Sequence, residues 1–393
     1  MNRRPQPIDT LPDRADGSSS LVHHSLIITG QLGKTPPLAL LPLWALIVVL
    51  TGWPWSTLRA PALTVAAVAL TLDWTMLALL PRTARSWGPI TPPLLGLALV
   101  RMVAFWVIEL LVPGPLGLGL ATAFSAGLWV TAVYATWIEP FAVRVPQETL
   151  HVDSWDADTR LRAMHISDIH FERASRREAT LLALVERHQP DLLLFTGDYL
   201  NLSSVHDPDA HQGVRELLAR FTPPLGSFAV TGSPTVDVAS VVPGIFAGLP
   251  IRWLDDEAVP VDIGEHRLWI LGVRNTYDDD RDRRALRALA DATPAGDARI
   301  LLYHTPDLMP LAGELGIDLY LCGHTHGGQI ALPLYGALTT GSRWGKRYER
   351  GRIREGRTTL YVSRGLGVEG LGAPRARFFA PPEVVVWEFA PPK

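Results

Sequence analysis

The sequence predicts a two-part chain, a helical membrane domain followed by an α/β domain, on three observations. Residues 36–138 hold only six charged side chains, Arg59, Asp73, Arg82, Arg85, Arg101 and Glu109, yet eight of the 13 tryptophans. From about residue 160, short apolar stretches alternate with amphipathic ones, as when helices cover a sheet. Several of those apolar stretches end directly in Asp or His. A length of 393 residues allows two or three domains. The net charge of -3 gives no general attraction to nucleic acid, so no specific nucleic-acid binding is expected. The single cysteine, Cys322, excludes an internal disulfide framework and a cysteine-rich zinc site.

Four apolar runs, 36–53, 60–81, 91–113 and 116–138, each approach the length needed to cross a hydrocarbon core of ~30 Å at ~1.5 Å per residue. Pro37 and Pro42 sit near the start of the first run, where proline is tolerated. Trp53, Trp55, Trp87 and Trp137 mark run ends, where indole favours the interface. The polar residues 1–35 do not read as a cleaved signal peptide. Cations cluster in the N-terminal segment (Arg3, Arg4, Arg14, Lys34), in the second loop (Arg82, Arg85) and after the fourth run (Arg144, Arg160, Arg162). The first loop has Arg59 alone and the third no cation. With four spans, this alternation places both termini and the C-terminal domain in the cytoplasm, and one span fewer would reverse the latter. Asp73, Arg101 and Glu109 within the runs are read as a structural pair or snorkelling side chains, a polar pathway being the alternative. The expected organisation is a polar segment 1–35, a transmembrane domain 36–138 of about four helices, a connector 139–157 and a folded domain 158–390.

In that domain, strands are expected at 161–167, 191–196, 228–231, 268–273, 300–303, 318–321, 359–363 and 383–389. Helices are expected over 174–188 and around 281–291 and 306–315. Ligands of open α/β sheets gather at carboxyl ends of strands. There the chain places Asp168 and His170, Gly197-Asp198, His304, and Gly323-His324-Thr325-His326. Two carboxylates and four imidazoles suit zinc, manganese or iron rather than calcium, and suffice for two ions with one carboxylate shared. Gly197 and Gly323 are expected to permit sharp turns, and Gly327 and Gly328 to leave room for a substrate.

The segments MHISDIH, LLLFTGDYLN, LLYHTPD and LCGHTHGGQ, in this order, resemble the calcineurin-like metallophosphoesterase superfamily. YVSRGLG and FFAPPEVVVWEF resemble the closing segments of its bacterial membrane-associated phosphodiesterase branch, and the likeness covers about 158–390. The resemblance implies a four-layer α/β/β/α sandwich around two divalent ions (Mn, Fe, Zn or Mg). It implies Asp168, His170 and His326 at the first ion, Asp198 bridging, and His304 and His324 at the second. Asp198 and His304 would then flank a metal-held hydroxide. The family's Gly-Asn-His-Asp block departs here: the chain reads Gly232-Ser233-Pro234-Thr235. Ser233, a poor neutral ligand, replaces the ligand asparagine, and Pro234 replaces the histidine that assists the leaving group. Asp237, His206 and His211 are the candidate substitutes. Three readings follow: a working hydrolase with a substitute group, a metal- and phosphate-ligand-binding protein with impaired turnover, and a structural module. The expected partners are membrane lipids and a phosphorylated small-molecule or lipid-linked substrate.

Two further stretches draw notice. Residues 343–357, RWGKRYERGRIREGR, read as a solvated arginine-rich hairpin or as a basic face for anionic lipid. Asp278-Asp279-Asp280 reads as a helix entry rather than a metal site.

Overall fold

The computed structural model describes residues 29–392. Arg3, Arg4 and Arg14 of the orientation argument therefore lie outside the described residues. The chain divides into two compact units at Ile138/Glu139, with Gly370–Arg375 belonging to the first.

The first unit is helical: α1 (Leu41–Gly52), α2 (Arg59–Leu79), α3 (Thr91–Leu111) and α4 (Pro115–Val133). Among the described residues three helices, Arg59–Leu79, Thr91–Leu111 and Pro115–Phe141, are long and apolar enough to cross a membrane. The expectation of four long spans is corrected at the first run, which forms the shorter apolar helix Pro37–Gly52. That helix opens with the tight turn Pro37–Leu40 and closes before Trp53-Pro54. At ~1.5–2 Å per residue it reaches roughly 26 Å, short of a ~30 Å core. Asp73 and Arg101, both buried, form the structural pair at 2.7 Å, and Arg101 Nε donates to Ser125 Oγ at 2.6 Å. Glu109 instead lies near a helix end, where its Oε2 accepts from Gly114 N at 3.4 Å.

The second unit contains, in chain order, β1 (Gln147–His151), β2 (Leu161–Ile166), α5 (Arg176–His188), β3 (Leu192–Phe195), α6 (Pro208–Leu218), β4 (Ser227–Ala229), α7 (Val242–Phe246) and β5 (Ile251–Trp253). There follow β6 (Glu257–Ile263), β7 (His266–Gly272), α8 (Asp279–Asp291), β8 (Ala298–Leu302), α9 (Met309–Glu314) and β9 (Leu319–Cys322). The chain ends with β10 (Ala331–Leu332), β11 (Gly336–Ala337), β12 (Gly351–Glu355), β13 (Thr358–Val362) and β14 (Val385–Ala390). Two six-stranded sheets form, ordered β1-β14-β2-β3-β4-β5 and β12-β13-β9-β8-β7-β6.

The α/β/β/α layering follows from the two-residue period of a strand. Leu192 and Leu194 face the core between the sheets, while Leu193 and Phe195 face the layer of α5, α6 and α7. Likewise Ile300, Leu302, Leu319 and Leu321 face inward, and Leu301, Tyr320 and Cys322 face the side of α8 and α9. Strands buried on both faces read as unbroken apolar runs, which is why these were visible in the sequence.

The helix starts are capped as their residues dictate. Ser175 and Glu178 close a capping box on α5. Asp278 accepts from Arg281 N at the start of α8, so the triple aspartate is a helix entry. β1 lies within what the sequence suggested was a connector and pairs with β14. The arginine-rich run forms a short turn and then β12, hairpin partner of β13.

Candidate metal centre

The carboxyl ends of β2 and β3 from one sheet and of β8 and β9 from the other meet at one place. Parallel pairing of β2 with β3 and of β8 with β9 sends those ends in a common direction within each sheet. Two groups of ligand atoms result, Asp168/His170/His326 and Asp198/His304/His324, each gathered within 4.8 Å. Asp198 lies between them: its Oδ2 is 3.6 Å from His170 Nε2 and 3.3 Å from His304 Nε2. The loops are cross-linked as well, since His324 N donates to Asp168 Oδ1 at 3.0 Å.

Backbone shape aims these side chains. Asp168, His170, Asp198, His324 and His326 all have positive φ, between 44° and 69°. For residues other than glycine this is an uncommon, costly conformation that gathers at functional sites. Glycines supply closeness. A Cβ on Gly232 would lie 2.1 Å from Asp198 Oδ1, and one on Gly323 2.0 Å from Asp168 Oδ2. Gly197, with φ +95°, serves its turn as expected. Gly323 serves through its lack of bulk, because no positive φ is required there. The expected open space at Gly327 and Gly328 is not found: Gly327 closes against Arg364 and Gly328 against Ala337.

The donor set fits divalent ions. His304 Nδ1 contacts Thr196 O at 2.7 Å, a partner that can only accept, so in the neutral imidazole Nε2 carries the lone pair that an ion would use. His170 Nδ1 stands 2.5 Å from Glu369 Oε2, with Leu200 O at 3.3 Å. A carboxylate behind a ligating imidazole orients it and raises its basicity. His170 Nε2 and His326 Nε2 face each other at 3.0 Å, an approach that needs a proton or a cation between them. On the far side, Arg377 lies 3.3 Å from His326 Nδ1, while its guanidinium donates to the carbonyls of Arg364, Gly365, Gly367 and Ala380.

Glu369 and Arg377 escaped sequence reasoning, because GVEGLG and PRARFF carry no periodic or motif signal. The candidate substitutes for the missing histidine are engaged elsewhere. Asp237 accepts from Asp198 N at 2.8 Å, Gly232 N at 2.7 Å and Tyr199 N at 3.1 Å, so it braces the ligand loops from behind. His211 Nε2 contacts Val205 O at 2.7 Å, and exposed His206 belongs to neither ligand group. Ser233 is in place: its Oγ lies 3.3 Å from Asp198 Oδ2 and 3.2 Å from His304 Nε2.

Electrostatics concentrates at the centre. Burial opposes charging His170, but the Glu369 carboxylate, then Asp198 and Asp168, hold it up at about 9. His304 is held at about 9 against its burial by Asp198 and then Asp168. Burial and the neighbouring Asp198 push Asp237 up to about 7. Imidazoles raised above the ordinary 6.5 stabilise the metal-free fold fully below that pH and lose this contribution as pH rises through about 9. Ions need the same nitrogens unprotonated. Melting temperature of chelator-treated protein should therefore fall from pH 6.5 to 9, while added manganese should raise it increasingly over that window. Parallel curves with and without manganese would contradict this.

A buried two-metal cradle at the strand ends of an α/β/β/α sandwich defines a metal-dependent phosphoesterase fold. A family model described as calcineurin-like phosphoesterase matches residues 161–328. The metallophosphoesterase YkuE of Bacillus subtilis (strain 168) is 29% identical over 274 residues, covering 65% of this chain and 88% of that protein. A metallophosphoesterase of Aquifex aeolicus (strain VF5) is 30% identical over 263 residues, covering 63% and 92%. UDP-2,3-diacylglucosamine pyrophosphatase LpxG of Chlamydia muridarum (strain MoPn / Nigg) is 25% identical over 329 residues, covering 67% and 94%. The chain belongs to the calcineurin-like phosphoesterase family.

Proposed function

We propose that this protein is a membrane-anchored hydrolase of phosphodiester or phosphomonoester bonds, of the bacterial membrane-associated branch. The observation that carries it is the position of Asp198, whose carboxylate stands between two ligand groups. Asp168, His170 and His326 would hold one ion, His304 and His324 the other, with Asp198 shared. Ions held there would supply a hydroxide near neutral pH and offset the charge that develops at phosphorus. The chain's own residues hold the geometry: Glu369 fixes His170, Thr196 O fixes His304, and the Ser233 amide fixes Asp198 Oδ1 at 2.6 Å.

The mature site lacks the family's proton donor at Pro234, which favours substrates with good leaving groups. This departure also supports a second reading, binding of metal and phosphate ligand with impaired turnover. We read 36–138 as the helical domain and 158–390 as the catalytic one; the break at Ile138/Glu139 supports the end of the first. With the N-terminal segment in the cytoplasm as well, a cytoplasmic catalytic domain requires the short helix Pro37–Gly52 to cross too. The diacylated sugar nucleotide in the name of the LpxG relative supports a lipid-linked substrate.

The test is manganese-dependent hydrolysis of a chromogenic phosphodiester by the detergent-solubilised chain, with Asp198→Asn alongside. Loss of at least ~10²-fold in the variant is expected, since it removes the shared ligand. Metal-bound native protein without turnover would leave the binding reading standing instead.

A further inference from the structure

We propose that the hairpin of β10 and β11, residues 330–338, is a membrane-inserting rim of the metal centre, entering the interfacial layer of the bilayer. Its catalytic consequence rests on the phosphoesterase reading; the insertion does not. The tip exposes Leu332, Leu334, Tyr335 and Leu338, with Phe379 on the neighbouring strand segment, and Leu334 stands wholly clear of the protein. Large apolar side chains gathered on one exposed hairpin mark an interaction site.

The tip stands on a fixed base. Ala331 pairs with Ala337 and Leu332 with Gly336. Ala331 N donates to Phe378 O at 2.8 Å and Ala337 N to Glu349 Oε1 at 3.0 Å. One arm continues from the turn His326–Gly328, and the other leads to Gly341, whose carbonyl lies 3.3 Å from His324 Nε2. The apolar tip and the metal centre therefore share one loop system.

The chemistry of the tip selects lipid. Lys346 donates to Tyr335 O at 2.6 Å, and its ammonium lies 3.0 Å from the ring centroid. An aromatic ring with a cation on an aliphatic tip suits the headgroup boundary, where the ring sits and the ammonium snorkels. The nearby arginine run is unsuited to that task. Arg343, Arg347, Arg350, Arg352 and Arg357 pair with Asp279, Glu355, Glu349, Glu148 and Asp318. A second protein is disfavoured by size, since five side chains fall well short of the ~800 Å² per partner of a stable interface. The bilayer is within covalent reach: β1 begins at Gln147, six residues after the apolar helix Pro115–Phe141 ends, or roughly 20 Å of extended chain.

The experiment places the full chain in nanodiscs of phosphatidylcholine and phosphatidylglycerol. An environment-sensitive fluorophore is attached at Leu334→Cys; the native Cys322 is buried, and unlabelled native chain is the control. Insertion predicts blue-shifted emission and at least about two-fold quenching by lipids spin-labelled near the headgroup. Water-like emission without quenching overturns the proposal, and so does a shift that follows protein concentration in detergent, which would indicate a second copy. A second arm compares Leu334→Asp/Tyr335→Ser with native chain on phosphatidyl-p-nitrophenol and on water-soluble bis(p-nitrophenyl) phosphate, which share one leaving group. The rim role predicts about ten-fold lower kcat/KM for the lipid alone; equal losses on both overturn it. Native chain inactive on both substrates would defeat the hydrolase reading, while the quenching still decides insertion.

Discussion

Ser233→Asn combined with Pro234→His is expected to raise the hydrolysis of alkyl phosphodiesters by about 10²–10⁴-fold, the usual worth of a general acid. Proline can neither give nor take a proton, and an alkoxide leaves slowly without one. The position suits the repair. Ser233 Oγ already contacts Asp198 and His304, and half-buried Pro234 follows it on the loop after β4. An asparagine would offer the second ion a carbonyl ligand, and a histidine would stand beside the leaving group. A p-nitrophenyl ester, whose leaving group needs no proton, should change far less. The contrast between leaving groups is the decisive measurement. No gain with the alkyl ester would show that protonation is supplied elsewhere, and the impaired-turnover reading would fall.

Gly323→Ala should remove the first ion and destabilise the fold. The added methyl would stand 2.0 Å from both Asp168 Oδ2 and Ser167 Oγ. The backbone cannot withdraw freely, because Gly323 N donates to His304 O at 2.9 Å, so movement drags a ligand of the second group. Overpacking of this kind costs about 1–3 kcal/mol. Displacing Asp168 should weaken the first ion by at least the ~10–100-fold typical of disturbed supporting contacts. Gly313→Ala is the control, since nothing lies within 4 Å of its added Cβ. Thermal melting and metal titration read both effects. Two ions bound stoichiometrically by Gly323→Ala would contradict the tight-cradle account.

The strands leading to the candidate ligands are legible because both their faces are buried, which writes runs such as LLLF and LYLC, and because Asp198 and His324 follow those runs within three positions. Edge and half-exposed elements are not. β1, QETLH, lies at the sheet margin and exposes alternate side chains, so it reads as linker. β6, EAVPVDI, contains Pro260, a residue tolerated at this position on the edge of its sheet but misleading in sequence. No helix is expected from the sequence over α6, although Asp207 caps it. Glu369 could not be found at all: its role is created by the fold, 199 positions after His170, and rests on no local pattern. The same holds for Asp237, which sequence spacing suggested as an acid but whose oxygens are occupied by three backbone amides. Apolar length alone made the first run resemble the others, and the prolines at its ends decide otherwise.

The last strand of the chain, β14, is not at the margin of its sheet but between β1 and β2. Its place has a consequence in time. During synthesis β1 and β2 emerge more than two hundred residues before Val385–Ala390, and until then β1 has no neighbour to pair with and β2 has one bare edge. The apolar helices emerge long before, and the bilayer receives them while the sheet behind them is still unzipped. The sheet whose strand ends carry Asp168 and Asp198 is thus completed only once β14 arrives. A chain cut before Val385 would leave β1 and β2 waiting for a strand that never arrives.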